Sequence, residues 1–434
     1  MKNIFKKIDF ENAPLAFKRF MNNLIGFHFF GYPYKKLKII GVTGTSGKTT
    51  TTTLLYRIAM SLGHKSGLIG TVENFIGDKK VFPDFYKNNA SLWEKIFFTE
   101  SFTTPEVWNL NKLLSGMIKE GCEYVFMEVS SIGLEEKRMN SLKFAGGIFT
   151  NLSHDHLDFH KNMENYFLSK KNFFKMLPKN AFALTNTDDE YGKKILEGTK
   201  ARILCYGFDD QEDFHGEIKK LDFNGLSLAF NGEIVDSKLL GKFNSYNLLA
   251  VWSTSQLIGF DMKKIKEILQ KIEPPRGRFD YFMSQSGVLA VIDYAHKPDA
   301  LLNVLNTIKE IKNKDSKIIS VFGCGGDRDA FKRPKMGRIG VALSDIPIFT
   351  SDNPRSEDPN KIIADMMAEL YPKEIQKVKL IPDRREAIRE AVKLAQKGDI
   401  ILCAGKGHED YQEINGAKSH FNDAEELKEA FQQK

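Results

Sequence analysis

Residues 37–53, Leu-Lys-Ile-Ile-Gly-Val-Thr-Gly-Thr-Ser-Gly-Lys-Thr-Thr-Thr-Thr-Thr, join an apolar strand to a hydroxyl-rich helix start through a turn of small residues. Such a turn can direct successive backbone N–H groups at phosphate oxygens, and the lysine and hydroxyl that follow supply a cation and a Mg²⁺ ligand. The alternative is an ordinary strand-to-helix turn, because Val42 stands where the common phosphate-loop pattern has its first glycine. The stretch predicts a nucleoside triphosphate site formed by Gly44, Thr45, Ser46, Gly47, Lys48, Thr49 and Thr50.

The composition is that of a folded chain with two or three domains. Its formal charge of +7 is spread over 63 basic and 56 acidic residues without a long block of one sign, so nucleic-acid binding is not required, and anionic small molecules suit the charge equally well. The four cysteines are far apart and predict neither a disulfide framework nor a zinc site. No long apolar run or leader-like segment occurs, so we expect a cytoplasmic protein without a membrane span.

Short apolar runs alternate with stretches of helical spacing, which predicts an α/β fold with parallel sheets. Residues 201–240 contain short alternating pieces and two Asn-Gly turns, which is typical of a β-hairpin insertion. A cluster rich in proline and arginine at residues 273–278 interrupts the helical pattern, and a fresh alternation begins after it. We therefore place a domain boundary in that cluster.

Four predicted strands in the second half each end in a polar motif. The motifs are Asp293-Tyr-Ala-His296, Gly323-Cys-Gly-Gly-Asp-Arg328, Ser351-Asp-Asn-Pro-Arg355 and Gly405-Lys-Gly-His-Glu409. In an open parallel sheet, ligands bind outside the carboxyl ends of the strands, so these motifs are expected to share one edge. Any single motif could instead be a helix cap or a solvated turn.

The first half has its own polar residues at predicted strand ends. Glu128 closes one strand, and residues 151–160 (Asn-Leu-Ser-His-Asp-His-Leu-Asp-Phe-His) follow another. Beside a phosphate-binding turn, such an acid and imidazoles would face bound Mg²⁺. A single histidine in such a loop is more often a hydrogen-bonded structural residue than a ligand, but this segment holds three.

In order and spacing, these motifs resemble those of the Mur ligases from about residue 37 to the C-terminus. The resemblance implies a P-loop-type central ATPase domain with a parallel sheet at residues 37–275 and a Rossmann-like C-terminal domain at residues 276–434 that binds the incoming amino acid. Residues 1–36 would be a short N-terminal segment. The implied activity is ATP-dependent amide ligation, in which a substrate carboxylate becomes an acyl phosphate that an amine then attacks.

The resemblance also implies roles for individual residues. Lys48, Glu128, His156 and Lys170 match the catalytic positions, and Thr49, Glu128, His156 and a carbamylated Lys170 would hold Mg²⁺. Asn247, Arg278, Asp293 and His296 match positions that bind ATP, with Arg278 brought to the nucleotide by domain closure. Without the modification, Lys170 would be an ordinary residue on a helix surface.

Within the family, Asp352-Asn-Pro-Arg355 resembles the motif of members that add meso-diaminopimelate. A planar guanidinium can grip the second carboxylate of that amino acid through two hydrogen bonds. Arg328, Asp352, Asn353, Arg355, Gly405 and Glu409 match the amino-acid-binding positions. The alternative is that Arg355 merely pairs with Glu357 or Asp358.

The implied acceptor is a muramyl dipeptide with a free D-glutamate carboxylate, contacted by Thr103, Thr104, Ser130 and Arg138. Only 36 residues precede Leu37, where family members carry a domain for the uridine nucleotide of the acceptor. We therefore expect one of three things: weak affinity for the UDP part of the acceptor, a cell-wall partner that supplies the missing surface, or an acceptor without UDP. Two alternative functions remain: a ligase for a non-UDP acceptor, like folylpolyglutamate synthase or cyanophycin synthetase, and a nucleotide-binding scaffold in a cell-wall complex.

Overall fold

The computed structural model describes residues 30–81, 103–140, 142–209 and 211–434. Most of the N-terminal segment at residues 1–36 therefore lies outside the described residues. The chain divides into two compact units, one formed within Met1–Lys219, Ser227–Ser237 and Phe243–Ile272, and the other formed by Lys220–Leu226, Lys238–Lys242 and Glu273–Lys434. We call them unit 1 and unit 2.

Unit 1 is built on a sheet of eleven strands in the order β11-β10-β9-β8-β7-β6-β1-β5-β2-β3-β4. The strands are β1 (Lys38–Thr43), β2 (Ser66–Ile69), β3 (Asn74–Ile76), β4 (Lys79–Val81), β5 (Tyr124–Glu128), β6 (Phe144–Phe149), β7 (Phe182–Asn186), β8 (Arg202–Gly207), β9 (Phe214–Asp222), β10 (Gly225–Phe230) and β11 (Glu233–Ser237). The α-helices are α1 (Lys48–Ser61), α2 (Val107–Lys119), α3 (Ser131–Glu135), α4 (Leu157–His160), α5 (Met163–Met176), α6 (Lys242–Leu257) and α7 (Met262–Lys271), and 3-10 helices occupy Pro33–Lys36 and Lys194–Leu196.

The middle of this sheet is parallel and buried. Strand β1 pairs in parallel with β5 on one side and β6 on the other, and five of its six residues are buried. Apolar runs without alternation are expected where both faces of a parallel sheet are covered. Because the register sets Val42 opposite Glu128 and Ile148, the turn after β1, Glu128 and the segment after β6 meet at one edge of the sheet.

The predicted hairpin at residues 201–240 is only partly confirmed. The two Asn-Gly pairs do connect β9 to β10 and β10 to β11. These strands do not form a separate insertion, however, because β8 pairs in parallel with β7 and β9 with β8. The edge of the main sheet is extended instead.

Unit 2 has a six-stranded sheet in the order β12-β13-β17-β14-β15-β16 and a separate antiparallel hairpin, β18-β19. Its strands are β12 (Asp280–Met283), β13 (Leu289–Asp293), β14 (Ile318–Phe322), β15 (Ile346–Phe349), β16 (Lys379–Leu380), β17 (Ile400–Ala404), β18 (Tyr411–Ile414) and β19 (Ala417–His420). Its helices are α8 (Pro298–Ile311), α9 (Lys332–Leu343), α10 (Pro359–Met367), α11 (Pro372–Ile375), α12 (Arg384–Leu394) and α13 (Asp423–Gln432).

The four polar motifs of unit 2 follow strand ends that lie side by side. Ala404 is in register with Asp293 on one neighbouring strand and with Phe322 on the other, and Phe322 is opposite Phe349. All three pairings are parallel. The expectation that the motifs share one edge is therefore confirmed, and we call this edge the donor rim.

Candidate active site

The turn at residues 44–47 requires glycine at both ends. Gly44 and Gly47 have φ angles of 153° and 84°, in the region that side-chain-bearing residues rarely adopt. A Cβ at Gly44 would collide with the hydroxyl of Thr150, and a Cβ at Gly47 would collide with the side-chain oxygen of Asn247. The turn is thus packed tightly against the end of β6 and against α6, which places Asn247 beside it as predicted for a nucleotide-binding residue.

Asn151 fastens this turn through its main chain and its side chain. The N–H of Thr45 donates to the Asn151 carbonyl at 2.9 Å, and the N–H of Ser46 donates to Asn151 Oδ1 at 2.9 Å. These two amides therefore bond to Asn151, so the successive N–H groups expected at a phosphate are not those of Thr45 and Ser46. The N–H groups of Gly47, Lys48, Thr49 and Thr50 come next, at the N-terminus of α1, where helical geometry favours an anion.

Two lysines converge on one carbonyl of the turn. Lys48 Nζ donates to the carbonyls of Gly44 and Thr45, each at 2.8 Å, and Lys170 Nζ donates to the Gly44 carbonyl at 2.8 Å. Lys170 is not on the surface, since only 1% of it is exposed, and its ammonium lies 4.7 Å from the ring centre of Tyr166. Burial, and next the charge of Lys48, hold the pKa of Lys170 well below its ordinary value.

Glu128 is held by a residue that the sequence analysis missed. Thr71, two residues beyond β2, donates its N–H to Glu128 Oε1 at 2.8 Å and its hydroxyl to Oε2 at 3.0 Å. The same hydroxyl lies 3.0 Å from Thr103 Oγ1. Its position in the chain could have predicted this contact. Thr71 follows β2, which pairs in parallel with β5, and so reaches the edge of the sheet where Glu128 lies.

The histidine-rich segment divides into different roles. His160 is buried and its Nε2 lies 2.9 Å from Ser131 Oγ, which is the structural role considered above. His156 is partly exposed, and its Nε2 lies 3.5 Å from the Asp155 carboxylate. No group of three or more His, Cys, Asp or Glu residues that could hold a metal occurs among the side chains that the structure describes.

Two of the four predicted acceptor residues are buried supports. Thr104 is fully buried and bonds to the Glu128 carbonyl at 3.0 Å and to the Ser130 N–H at 2.9 Å. Arg138 is 3% exposed, donates to the Thr104 carbonyl and forms ion pairs with Glu106 and Glu136. Thr104 thus joins the segment before α2, which carries Thr103, to the segment after β5, which carries Ser130; Thr103 and Ser130 are themselves partly exposed. Both side chains bond to groups of the protein itself, and their contact with the acceptor stays a prediction.

The first motif of the donor rim is held from within unit 2. The Asp293 carboxylate accepts the N–H groups of Phe279 at 2.7 Å and Ala295 at 2.8 Å, and burial raises its pKa although Arg278 acts in the opposite sense. The Arg278 guanidinium lies 5.0 Å from the centre of the Tyr294 ring. Burial lowers the pKa of His296 to about 3, so its ring is neutral at physiological pH.

Arg355 is held in place by Gly326 and Glu413, and not by Glu357 or Asp358 as the alternative interpretation predicts. Its φ angle is 51°, its Nη1 donates to the Gly326 carbonyl at 2.7 Å, and its Nε lies 3.6 Å from a carboxylate oxygen of Glu413. Glu357 instead binds Arg333 at 2.8 Å, and Asp358 caps α10. Pairing of Arg355 with Glu357 or Asp358 is therefore wrong.

The other predicted donor contacts gather around a lysine to which no role was assigned. Asn353 Nδ2 donates to Glu409 Oε2 at 2.9 Å, and Lys406 contacts both residues. Gly405 has a φ angle of 114° and donates its N–H to the Asp293 carbonyl, which ties two of the motifs together. Arg328 is exposed at the end of the second motif.

The glycine turn with two lysines in unit 1 and the polar rim of unit 2 are the parts expected of a nucleotide-dependent ligase with a P-loop-type domain and a Rossmann-like domain. Residues 42–254 match the model of the Mur ligase middle domain, and residues 277–407 match that of the Mur ligase glutamate ligase domain. The chain belongs to the Mur ligase family, whose members form amide bonds with ATP.

Individual relatives agree with this assignment. The chain is 47% identical over 403 residues to the UDP-N-acetylmuramoyl-L-alanyl-D-glutamate–2,6-diaminopimelate ligase of Bacteroides thetaiotaomicron, covering 93% of this chain and 80% of the relative. A ligase of the same name from Phocaeicola vulgatus is 48% identical with the same coverage.

Solved structures show the same fold. One of a ligase of that name has a TM-score of 0.67 and 33% identity over 95% of this chain and 82% of its own. The folylpolyglutamate synthase of Mycobacterium tuberculosis complexed with ADP has a TM-score of 0.71, covers 89% of this chain and 91% of its own, and at 17% identity shows the fold alone. Among the described residues, no helix is both long enough and apolar enough to cross a membrane.

Proposed function

We propose that this chain joins meso-diaminopimelate to the D-glutamate carboxylate of a muramyl dipeptide precursor, with ATP as the energy source and an acyl phosphate as the intermediate. The observation that carries the proposal is the donor rim, where Arg355 and Glu409 offer a guanidinium and a carboxylate on neighbouring segments of unit 2. A diamino dicarboxylic acid presents the complementary pair at its far end. The named relatives above act on that amino acid.

In unit 1, the proposed role of the turn is to bind the phosphates of ATP. Lys48 already lies on neutral carbonyl oxygens of the turn and can exchange them for the γ-phosphate. As that phosphoryl group moves to the substrate carboxylate, every reacting group is anionic, so a nearby cation stabilises the transition state. No protein nucleophile is acylated in this scheme.

The residues at the sheet edge fit Mg²⁺, which binds proteins through few carboxylates and takes its other ligands from phosphates and water. The Glu128 carboxylate, oriented by Thr71, and the Thr49 hydroxyl are of the right chemistry, with His156 as a candidate for a second ion. When bound, Mg²⁺ neutralises charge on the phosphates. Because phosphates and water supply the other ligands, the site does not need three or more metal-binding side chains.

Lys170 fits the proposed carbamylation because its buried amine favours the neutral form. The amine nitrogen would form a bond to the carbon of CO₂ and release a proton, which leaves a carbamate anion. This change places an anion beside the Gly44 carbonyl, where burial otherwise favours a neutral amine, and the anion can pair with Lys48 or with a metal ion.

A matrix of substrates tests the proposal. Phosphate release is measured for three acceptors (UDP-muramyl dipeptide, muramyl dipeptide and folate) crossed with diaminopimelate, lysine and glutamate. We expect turnover with diaminopimelate and a muramyl acceptor; turnover only with folate and glutamate would overturn the assignment, and no turnover with any pair would favour a scaffold. Comparison of UDP-muramyl dipeptide with muramyl dipeptide also tests whether the uridine nucleotide contributes to acceptor binding. Repeating that comparison with an added cell-wall partner tests whether the partner supplies the missing surface, and both contributions stay predictions.

The domain limits at residues 37–275 and 276–434 are part of the same proposal. They predict that diaminopimelate binds through the second segment alone, whereas ATP binds through the turn of the first segment and also through Arg278, Asp293 and His296 of the second. Protection of only the second segment from limited proteolysis by diaminopimelate would support the division, and protection of the first segment by diaminopimelate alone would contradict it.

A further inference from the structure

Lys406 is a completely buried lysine on the donor rim. Its side chain has no exposed surface, and its Nζ donates to Asn353 Oδ1 at 3.2 Å and to Glu409 Oε2 at 3.3 Å. Asp352 Oδ1 lies 3.7 Å away. Burying a charge this completely is costly unless other groups compensate it, so the position of this ammonium needs an explanation in the site around it.

The charges of this cluster do not balance. Asp352 and Glu409 are carboxylates, and Lys406 is the cation that contacts both. Asp352 Oδ1 is buried and forms no hydrogen bond in the described structure. One further cation with N–H donors would therefore complete the cluster, and the ammonium of an amino-acid donor has that chemistry.

We propose that Lys406 is the positioning residue of the donor site, which holds the Glu409 carboxylate ionised and turned toward the ammonium of the incoming amino acid. The inference rests on the function proposed above. Lys406 acts through Glu409 and Asn353, which it joins across two strand ends, and it does not contact the reacting atoms. Asn353 Nδ2 donates to the same Glu409 oxygen, so the carboxylate is fixed from two sides.

The electrostatics around Glu409 support this role. Burial, and next the charge of Asp352, raise the pKa of Glu409, whereas Lys406 and the Asn353 amide act against that rise. The other titratable groups that face it are the phenols of Tyr294 and Tyr411, which are neutral at physiological pH. Removal of Lys406 therefore raises the pKa of Glu409 further, and its carboxylate becomes protonated at a higher pH.

The test compares Lys406→Met with Lys406→Arg, which keeps the charge, and with Lys379→Met, which removes a lysine paired with Glu390 elsewhere in unit 2. KM for diaminopimelate and for ATP is measured from about pH 5.5 to about pH 9, so that a shift of the acid limb to higher pH falls within the range. For Lys406→Met we expect KM for diaminopimelate to rise about 30-fold, as when one partner of a buried charge pair is removed. The acid limb of kcat/KM for diaminopimelate should move to higher pH.

In the same variant, KM for ATP should stay within about twofold of the wild type. Lys406→Arg should restore the acid limb, and Lys379→Met should change neither quantity. An unchanged KM for diaminopimelate together with an unchanged acid limb in folded Lys406→Met would overturn the inference. A wild-type enzyme without diaminopimelate-dependent turnover would instead overturn the proposed function.

Thermal unfolding of each variant is measured first. If Lys406→Met does not fold, the double variant Lys406→Met with Asp352→Asn removes one carboxylate together with the cation and so reduces the uncompensated charge. This variant is expected to show the same loss of diaminopimelate affinity. Full retention of that affinity in the double variant would contradict a positioning role.

Discussion

The turn at residues 44–47 in unit 1 and the donor rim of unit 2 both place lysines beside main-chain turns, but the partners of those lysines differ. In the turn, Lys48 and Lys170 bond to neutral carbonyl oxygens. On the rim, Lys406 contacts the carboxylates of Asp352 and Glu409. The turn therefore presents its lysines to neutral oxygens, whereas the rim holds a lysine between two carboxylates.

This difference predicts different kinetic roles. A cation on a neutral carbonyl can be transferred to an anionic ligand at little cost, and it stabilises charge that moves during the reaction. A cation fixed between carboxylates holds them in one geometry, which favours selective binding of a ligand with matching charges. Changes in the turn should therefore act mainly on kcat, and changes on the rim mainly on KM for the amino acid.

The largest effect is expected for Lys48→Met. Loss of the cation that stabilises the migrating phosphoryl group should lower kcat about 10³-fold, a loss typical of residues that stabilise transition-state charge. Phosphate release under saturating substrates measures it. The matched control is Lys171→Met, which removes a lysine that pairs with Glu197 on the same helix as Lys170. If Lys48→Met raised only KM and left kcat unchanged, the predicted difference between the turn and the rim would be wrong.

The second prediction concerns Arg355→Ala, which should raise KM for diaminopimelate about 50-fold, the cost of charge-assisted hydrogen bonds to one carboxylate. KM for ATP should remain nearly unchanged, because the guanidinium contacts only Gly326 and Glu413 in the described structure. Arg389→Ala, which breaks an exposed ion pair with Glu386, is the control. An unaltered KM for diaminopimelate in Arg355→Ala would refute the proposed donor site.

Much of the fold could be predicted from the sequence, because buried parallel strands are recorded as apolar runs. The apolar strand expected within residues 37–53 is β1 (Lys38–Thr43), and the hydroxyl-rich helix start expected after it opens α1 (Lys48–Ser61). The strand ends that form the donor rim also follow from pattern alone, since parallel strands place their carboxyl ends at one edge. The order of the strands within each sheet is set by long-range pairing, which no local pattern records.

The site residues were predictable by type but not by contact. Thr71 has no motif around it, and only the parallel pairing of β2 with β5 brings it to Glu128. Arg138 is a different case, because the family resemblance assigns it to the acceptor and only the structure shows that its guanidinium pairs with Glu106 and Glu136. Lys406 was visible within its motif, but its burial among carboxylates follows only from tertiary packing.

The third prediction sharpens the contrast at Lys170. Burial lowers the pKa of its amine well below the ordinary value of about 10.5, so the neutral amine that adds CO₂ is present at lower pH than in an exposed lysine. Removal of CO₂ from the buffer should lower kcat about tenfold, as expected for the loss of one charged group in an active site, and bicarbonate should restore it. Acidification protonates the Lys170 amine, and a protonated amine cannot add CO₂. The dependence of kcat on the CO₂ concentration should therefore increase as the pH falls. A rate independent of CO₂ at every pH would contradict carbamylation.

The smallest effect is expected for Thr71→Val, which keeps the shape of the side chain and removes its hydroxyl bond to Glu128 Oε2. The main-chain bond from residue 71 to Oε1 remains, so the carboxylate loses one of two anchors, worth about 1 kcal/mol or roughly fivefold in the Mg²⁺ concentration for half-maximal turnover. KM for diaminopimelate should not change, because the rim is built from other strands. An increase in that KM with normal Mg²⁺ dependence would show that the orientation of Glu128 serves substrate binding, and the division of roles between the two sites would have to be abandoned.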